Sequence, residues 1–166
     1  MDFLWEGSVR NSSAIYVKKE KRERVFVRNS ISDNIQKRNK ICLSGTIKDF
    51  LDMNKGCRRY FTKTQLMDLY AKVDMLIIED LAENILTRDE LSWLFVIVNE
   101  RMKNKLPIVI LTKFNINDLK RRLSIHEDDC EFVNSIISRL RFMCTLVDIR
   151  KNIIIEWLIW KQCSYL

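Results

Sequence analysis

Apolar residues along this chain come in short solid runs separated by stretches of helical spacing. Met75 to Ile78 is one such run, apolar at every position and ended by Glu79 and Asp80. A strand buried on both faces reads this way, because neither side accepts a polar group until the chain leaves the sheet. Pro107 to Leu111 is a second run, closed by Thr112, and Thr145 to Ile149, though broken by Asp148, reads as a further strand. Ser13 to Val17 and Ile41 to Leu43 are shorter strand candidates, and Val25 to Val27 fits a strand or the start of a helix. Elsewhere the period is helical. Ile47 to Met53 reads as a short helix, and Gln65 to Lys72 places Leu66, Leu69 and Tyr70 on one side. Thr87-Arg88-Asp89-Glu90 has capping-box spacing: the Thr87 hydroxyl accepts from the Glu90 amide while the Glu90 carboxylate reaches back. The helix it opens carries Leu91, Leu94, Phe95, Val98 and Met102 on one face. Asn115 caps a helix through Arg122, and Cys130 to Met143 is helical. Strands alternating with helices imply a parallel sheet with helices on both faces. Ligands of such sheets sit at the carboxyl ends of the strands, where Glu79, Asp80 and Thr112 fall.

Composition narrows the picture. A chain of 166 residues with 47% hydrophobic content is expected to form one domain with a substantial core. Three glycines (Gly7, Gly45, Gly56) and Pro107 are the only residues of those two types, so long regular elements and few special turns are expected. Five cysteines without C-x-x-C spacing, and one histidine (His126, in an acidic stretch), argue against a metal site. Reduced thiols in a cytoplasmic setting are expected, with no membrane partner. The late apolar run Ile153 to Trp160, with Trp157 and Trp160 three apart, is too short to span a bilayer and reads as a face docking on the domain or as an exposed patch for a partner.

The net charge is +7. Lys18 to Lys40 holds nine basic residues (Lys18, Lys19, Lys21, Arg22, Arg24, Arg28, Lys37, Arg38 and Lys40) against three acids. The segment reads either as a surface for phosphates of single-stranded DNA, contacted by Lys18, Lys19, Lys21, Arg22 and Arg24 with Phe26 available for stacking, or as a solvated face.

An apolar strand ending in two acids is the Walker B arrangement, in which one carboxylate orients magnesium and the next polarises water. The stretch "LYAKVDMLIIEDLAENILTRDELSWLFVIVNERMKNKLPIVILTKFNINDLKRRL" followed by "SIISRLRFMCTLVDI" resembles the ATPase domains of bacterial replicative-helicase loaders of the DnaC/DnaI type, a domain shared by IstB-type transposase helpers. The resemblance is carried by Met75 to Asp80, the Thr87 helix, the arginine-containing helix end in Asn99 to Pro107, Ile108 to Thr112 at the sensor strand, and Ser138-Arg139-Leu140 at the arginine-finger tripeptide. It implies an α/β fold, a P-loop NTPase (AAA+)-like sheet, over residues 1–166, best matched in 61–149. It also implies Walker B-like roles for Glu79 and Asp80, a sensor-like role for Thr112 and a finger-like role for Arg139 toward a neighbouring subunit.

Three departures bear on function. No G-x-x-x-x-G-K-[ST] occurs, and after the first strand, where the family places it, stands "KKEKRERVFVRNSISDNI". A phosphate cradle needs glycines so that backbone amides turn toward the oxygens. Glu79 stands where the family has Asp, which moves the carboxylate by roughly 1.5 Å. Lys113 follows Thr112 where the family has an amide, and Arg150 is the nearest match to its final arginine. The sequence therefore reads as a replication accessory protein of loader type, a pseudo-ATPase with no resident cofactor. Its expected partner is a replicative helicase or an intact helicase loader. The loaders' helicase-binding N-terminal domain is not expected here, which favours ATPase-to-ATPase contact. The alternatives are a conditional ATPase, with ATP and magnesium held by Lys18 to Arg24, Glu79 and Asp80, and a basic single-strand DNA-binding protein.

Overall fold

The computed structural model describes residues 13–17, 20–124 and 130–148. The elements run β1 (Ala14–Val17), α1 (Lys21–Lys37), β2 (Cys42–Gly45), α2 (Ile47–Gly56), a 3-10 turn (Cys57–Arg59), α3 (Lys63–Lys72), β3 (Met75–Ile78), α4 (Arg88–Lys103), β4 (Ile108–Thr112), α5 (Ile116–Leu123), α6 (Cys130–Met143) and β5 (Thr145–Asp148). The five strands form one sheet in the order β2-β3-β4-β1-β5, with every neighbouring pair parallel. Parallel neighbours need crossovers, which the helices supply.

The solid apolar runs are explained by the two faces they serve. Met75 and Ile77 of β3, with Val109 and Leu111 of β4 and Val147 of β5, pack under Val27, Ile31 and Ile35 of α1. The alternate residues Leu76, Ile78, Ile108 and Ile110 point the other way, into a larger cluster built from α2, α3, α4, α5 and α6. Within that cluster Phe50, Tyr70 and Trp93 form an aromatic group, with Phe50 and Trp93 stacked at 5.4 Å.

Local chemistry sets the helix ends. Thr46 with Asp49, Thr62 with Gln65 and Thr87 with Glu90 each form a full capping box. With so little glycine, the left-handed position after α1 falls to Asn39 (φ 56°) and that after α4 to Lys105 (φ 54°). Both ends show the paired bonds of a Schellman motif: Lys40 N–H to Ile35 O and Asn39 N–H to Gln36 O, then Leu106 N–H to Arg101 O and Lys105 N–H to Met102 O. α3 ends differently. Arg101 of α4, fully buried at 0% exposure, donates to Tyr70 O (2.8 Å) and Val73 O (3.0 Å) at the carboxyl end of α3 and to Pro107 O (3.1 Å) just before β4. Burial pulls this guanidinium down to about 10, with Asp74 and Cys42 opposing, so it stays charged at neutral pH.

Several expectations change. Of the two readings of Val25 to Val27 the helical one holds, but the helix, α1, begins earlier, at Lys21 within the charge run. The buried stripe of α4 comprises Leu91, Trp93, Leu94, Ile97, Val98 and Arg101, while Phe95 and Met102 are only partly covered. Leu69 is 45% exposed, because α3 is covered on the side of Leu66, Tyr70 and Ala71 instead. No helix among the described residues is long and apolar enough to cross a membrane. Lys18, Lys19, His126, Arg150 and the run Ile153 to Trp160 lie outside the described residues.

Candidate functional site at the carboxyl edge of the sheet

Because all strands are parallel, their carboxyl ends share one edge. Ile78 is in register with Gly45 and Ile110, and Val17 with Thr112. Glu79 leaves β3 with its amide bonded to Gly45 O (2.8 Å), and Leu81 N–H reaches Leu111 O (3.1 Å). The turn that follows holds two non-glycine residues in the left-handed region, Asp80 at φ 50° and Ala82 at φ 63°. Such backbone persists only where its surroundings hold it, and here they do. The Thr112 hydroxyl, buried at the end of β4, donates to Leu81 O (2.9 Å). Arg122 of α5 donates to Ala82 O (2.7 Å) and Glu83 O (2.9 Å) and lies over the Phe114 ring at 4.7 Å.

The acidic side of this turn faces α1. Arg24, only 3% exposed, donates from Nε to Asp80 Oδ1 (3.1 Å) and pairs with Glu83 Oε1 through Nη2. Arg28 lies 3.3 Å from both carboxylate oxygens of Glu79. Lys21 Nζ lies 3.6 Å from Asp80 Oδ2. Three cations thus meet three carboxylates. Lys21, Arg24 and Arg28 are spaced i, i+3, i+7, which puts them on one helix face. That spacing was visible in the sequence, but its acidic counterpart lies more than fifty positions away. Glu83, Arg28 and Arg122 are accordingly site residues that pattern reading passed over.

The fit of a magnesium-nucleotide to this edge can be tested on the residues present. β1 ends at Val17 and α1 begins at Lys21, which leaves three positions between them in the sequence, none of them glycine. A phosphate-wrapping loop of the kind the family uses spans eight positions from first glycine to hydroxyl. The carboxylates that would orient a metal are held by guanidinium groups, and the Thr112 hydroxyl is spent on Leu81 O. The residues do not fit that ligand. Among the described residues no cluster of three or more His, Cys, Asp or Glu is arranged to hold a metal ion.

Arg139 is elsewhere. On α6, it lies over the Phe95 ring at 5.0 Å and donates to Asn99 Oδ1 (3.3 Å) and Ser135 O (3.0 Å). α6 leads into the start of β5, so this late position on the helix lies toward the amino edge of the sheet. Of the basic segment, Lys21 and Arg22 are exposed, while Arg24 is turned inward. The expectation of Arg24 as a nucleic-acid contact therefore gives way to its pairing with carboxylates. Phe26 is 51% exposed, one turn beyond Arg22.

No family model and no curated protein matches the sequence. Solved structures do match in fold. A crystal structure of the DnaI gives a TM-score of 0.71 at 18% identity, covering 84% of this chain and 73% of that one. The DnaC helicase loader gives 0.67 at 15% identity, covering 87% of this chain and 82% of that one. The replication initiator DnaA bound to AMPPCP and single-stranded DNA gives 0.63 at 16% identity, covering 92% of this chain and 50% of that one. The chain has the α/β fold of these AAA+ domains.

Proposed function

We propose that this chain is a DNA-replication accessory protein, built like the ATPase domain of a helicase loader, that acts by binding and does not hydrolyse ATP. The observation that carries the reading is the three-residue connection between β1 and α1. Backbone amides converge on a phosphate only when a loop is long and permissive enough to curl around it. Three positions without glycine between the two elements fall short of the eight that such a loop spans, and a lysine's point charge does not replace a nest of backbone amides. The helicase loaders among its structural neighbours suggest the partner class, a replicative helicase or an intact loader. Arg139 is the residue we assign to contact with the partner's ATPase.

Equilibrium binding of a fluorescent ATP analogue, with and without magnesium, tests the reading. It should be run on the wild type and on Glu79→Gln/Asp80→Asn. The expected result is no binding by either protein at high micromolar nucleotide. Micromolar binding that the double substitution alters would put the conditional ATPase first.

A second reading has its own observation. The exposed Phe26 ring beside Arg22 pairs a stacking surface with a cation, the combination that holds single-stranded nucleic acid. Binding through this face should weaken steeply with salt and should be lost in Arg22→Ala/Phe26→Ala. Binding unaffected by both would remove α1 as the contact surface.

A further inference from the structure

We propose that α1 is a built-in occupant of the carboxylate site, holding residues 79–84 in one arrangement in the way a bound ligand holds the equivalent turn of a switchable domain. The inference deepens the non-hydrolytic reading above and rests on it: a site filled from within has no nucleotide-controlled state, so the surface formed by this turn is constant.

Four observations carry it. First, α1 is anchored independently of its charges. Val27, Ile31 and Ile35 are buried against the sheet, so the first turns of the helix project toward the carboxyl edge at a fixed height. Second, the cation at the centre of the cluster is the most enclosed. The Arg24 side chain is 4% exposed, while Asp80 and Glu83 keep 19% and 24%. An ordinary surface pair has the reverse character, two exposed ends and no enclosed centre. Third, one guanidinium bridges both ends of the turn, from Asp80 to Glu83, across the two left-handed residues. Fourth, the opposite side of the same turn is held through backbone carbonyls by Thr112 and Arg122. The turn is therefore gripped from two directions, and only the α1 grip comes from the segment after β1, where the sequence resemblance places a phosphate loop.

Hydrogen exchange at single-residue resolution tests this on the intact chain. The reporters are the Leu81 and Glu83 amides, bonded to Leu111 O and Asp80 O. In Arg24→Leu, exchange at both should accelerate by about tenfold or more, the expected effect of removing one partner from a largely enclosed pair with partly exposed carboxylates. The Ile77 and Ile78 amides within β3 should keep their wild-type protection, which shows the sheet intact. Arg24→Lys should fall between, since one ammonium cannot bridge both carboxylates. If Arg24→Leu does not fold, Asp80→Asn/Glu83→Gln with Arg24 retained gives the same reading from the other partner. Wild-type protection at Leu81 and Glu83 should also persist in about 1 M salt, where exposed pairs are screened. Unchanged exchange in the variants, or loss of wild-type protection in high salt, would overturn the proposal. Wild-type nucleotide binding is measured separately. Magnesium-dependent ATP binding and hydrolysis with loop protection still dependent on Arg24 would sink the non-hydrolytic reading and leave the grip itself standing.

Discussion

Replacing Arg101 with methionine tests whether a buried charge earns its place by serving neutral carbonyls. Two effects compete. Removing the guanidinium relieves the cost of keeping a cation out of water, a cost visible in its lowered pKa. It also strands the carbonyls of Tyr70, Val73 and Pro107, which receive its hydrogen bonds at 2.8 to 3.1 Å. Tyr70 and Val73 lie at the end of α3, where helix carbonyls have no partner within the helix. Each stranded buried carbonyl costs about 1–3 kcal/mol. The lost cation at a helix carboxyl end adds about 0.3–1 kcal/mol. Desolvation relief returns part of this, leaving a net loss of about 3 kcal/mol. Against a typical total of about 5–15 kcal/mol, that is a large fraction. Urea unfolding followed by far-ultraviolet circular dichroism should show the midpoint falling by about 1.5 M, taking a slope near 2 kcal/mol/M. Arg101→Lys should fall less, because an ammonium keeps the charge but cannot span three carbonyls. A midpoint for Arg101→Met that stays put or rises would mean that desolvation outweighs the hydrogen bonds, and the capping argument would fail.

Other changes follow from local geometry. Lys105→Gly should stabilise the protein by about 0.5–1 kcal/mol, since Lys105 is exposed and holds a left-handed φ that glycine adopts freely; a thermal melt should rise by about 2–3 °C. Thr87→Ala should cost about 1 kcal/mol by opening the capping box of α4, read as a lower urea midpoint with an unchanged slope. Arg139→Ala should cost no more than about 1 kcal/mol from its contact with Phe95, while abolishing any stimulation of a partner's ATPase; a variant that still stimulates would remove Arg139 from that contact.

The sequence was most legible where local rules act alone. β3 and α6 lie where the apolar run and the helical spacing placed them, and Thr87 and Asn115 cap the helices they were expected to cap. α1 was the main miss, because its first buried side chain is an arginine and its apolar members begin only at Val25. Hydropathy patterning treats arginine as surface, which also hid Arg101 within the α4 stripe. The candidate site was half visible. Its acids stood out at a strand end, but their partners lie on a distant helix, and pairing across such a separation leaves no local periodicity. Leu69 shows the converse error, an apolar residue at a plausible spacing left in solvent because three neighbouring positions suffice to cover the helix.

The sheet order has a consequence for how this molecule comes into being. β1 lies between β4 and β5, with Ala14 paired to both Val109 and Thr145. Because synthesis runs from the amino to the carboxyl end, β1 is made before the other four described strands yet waits for β4 and β5 before it can be paired. Contacts of such long separation make folding slow and leave strand edges open meanwhile. The early segment waits with a highly charged stretch just behind it, and like charges there discourage the waiting strand from pairing with another chain. In the finished protein three cations of that stretch, Lys21, Arg24 and Arg28, are taken up by carboxylates that are made only after β3.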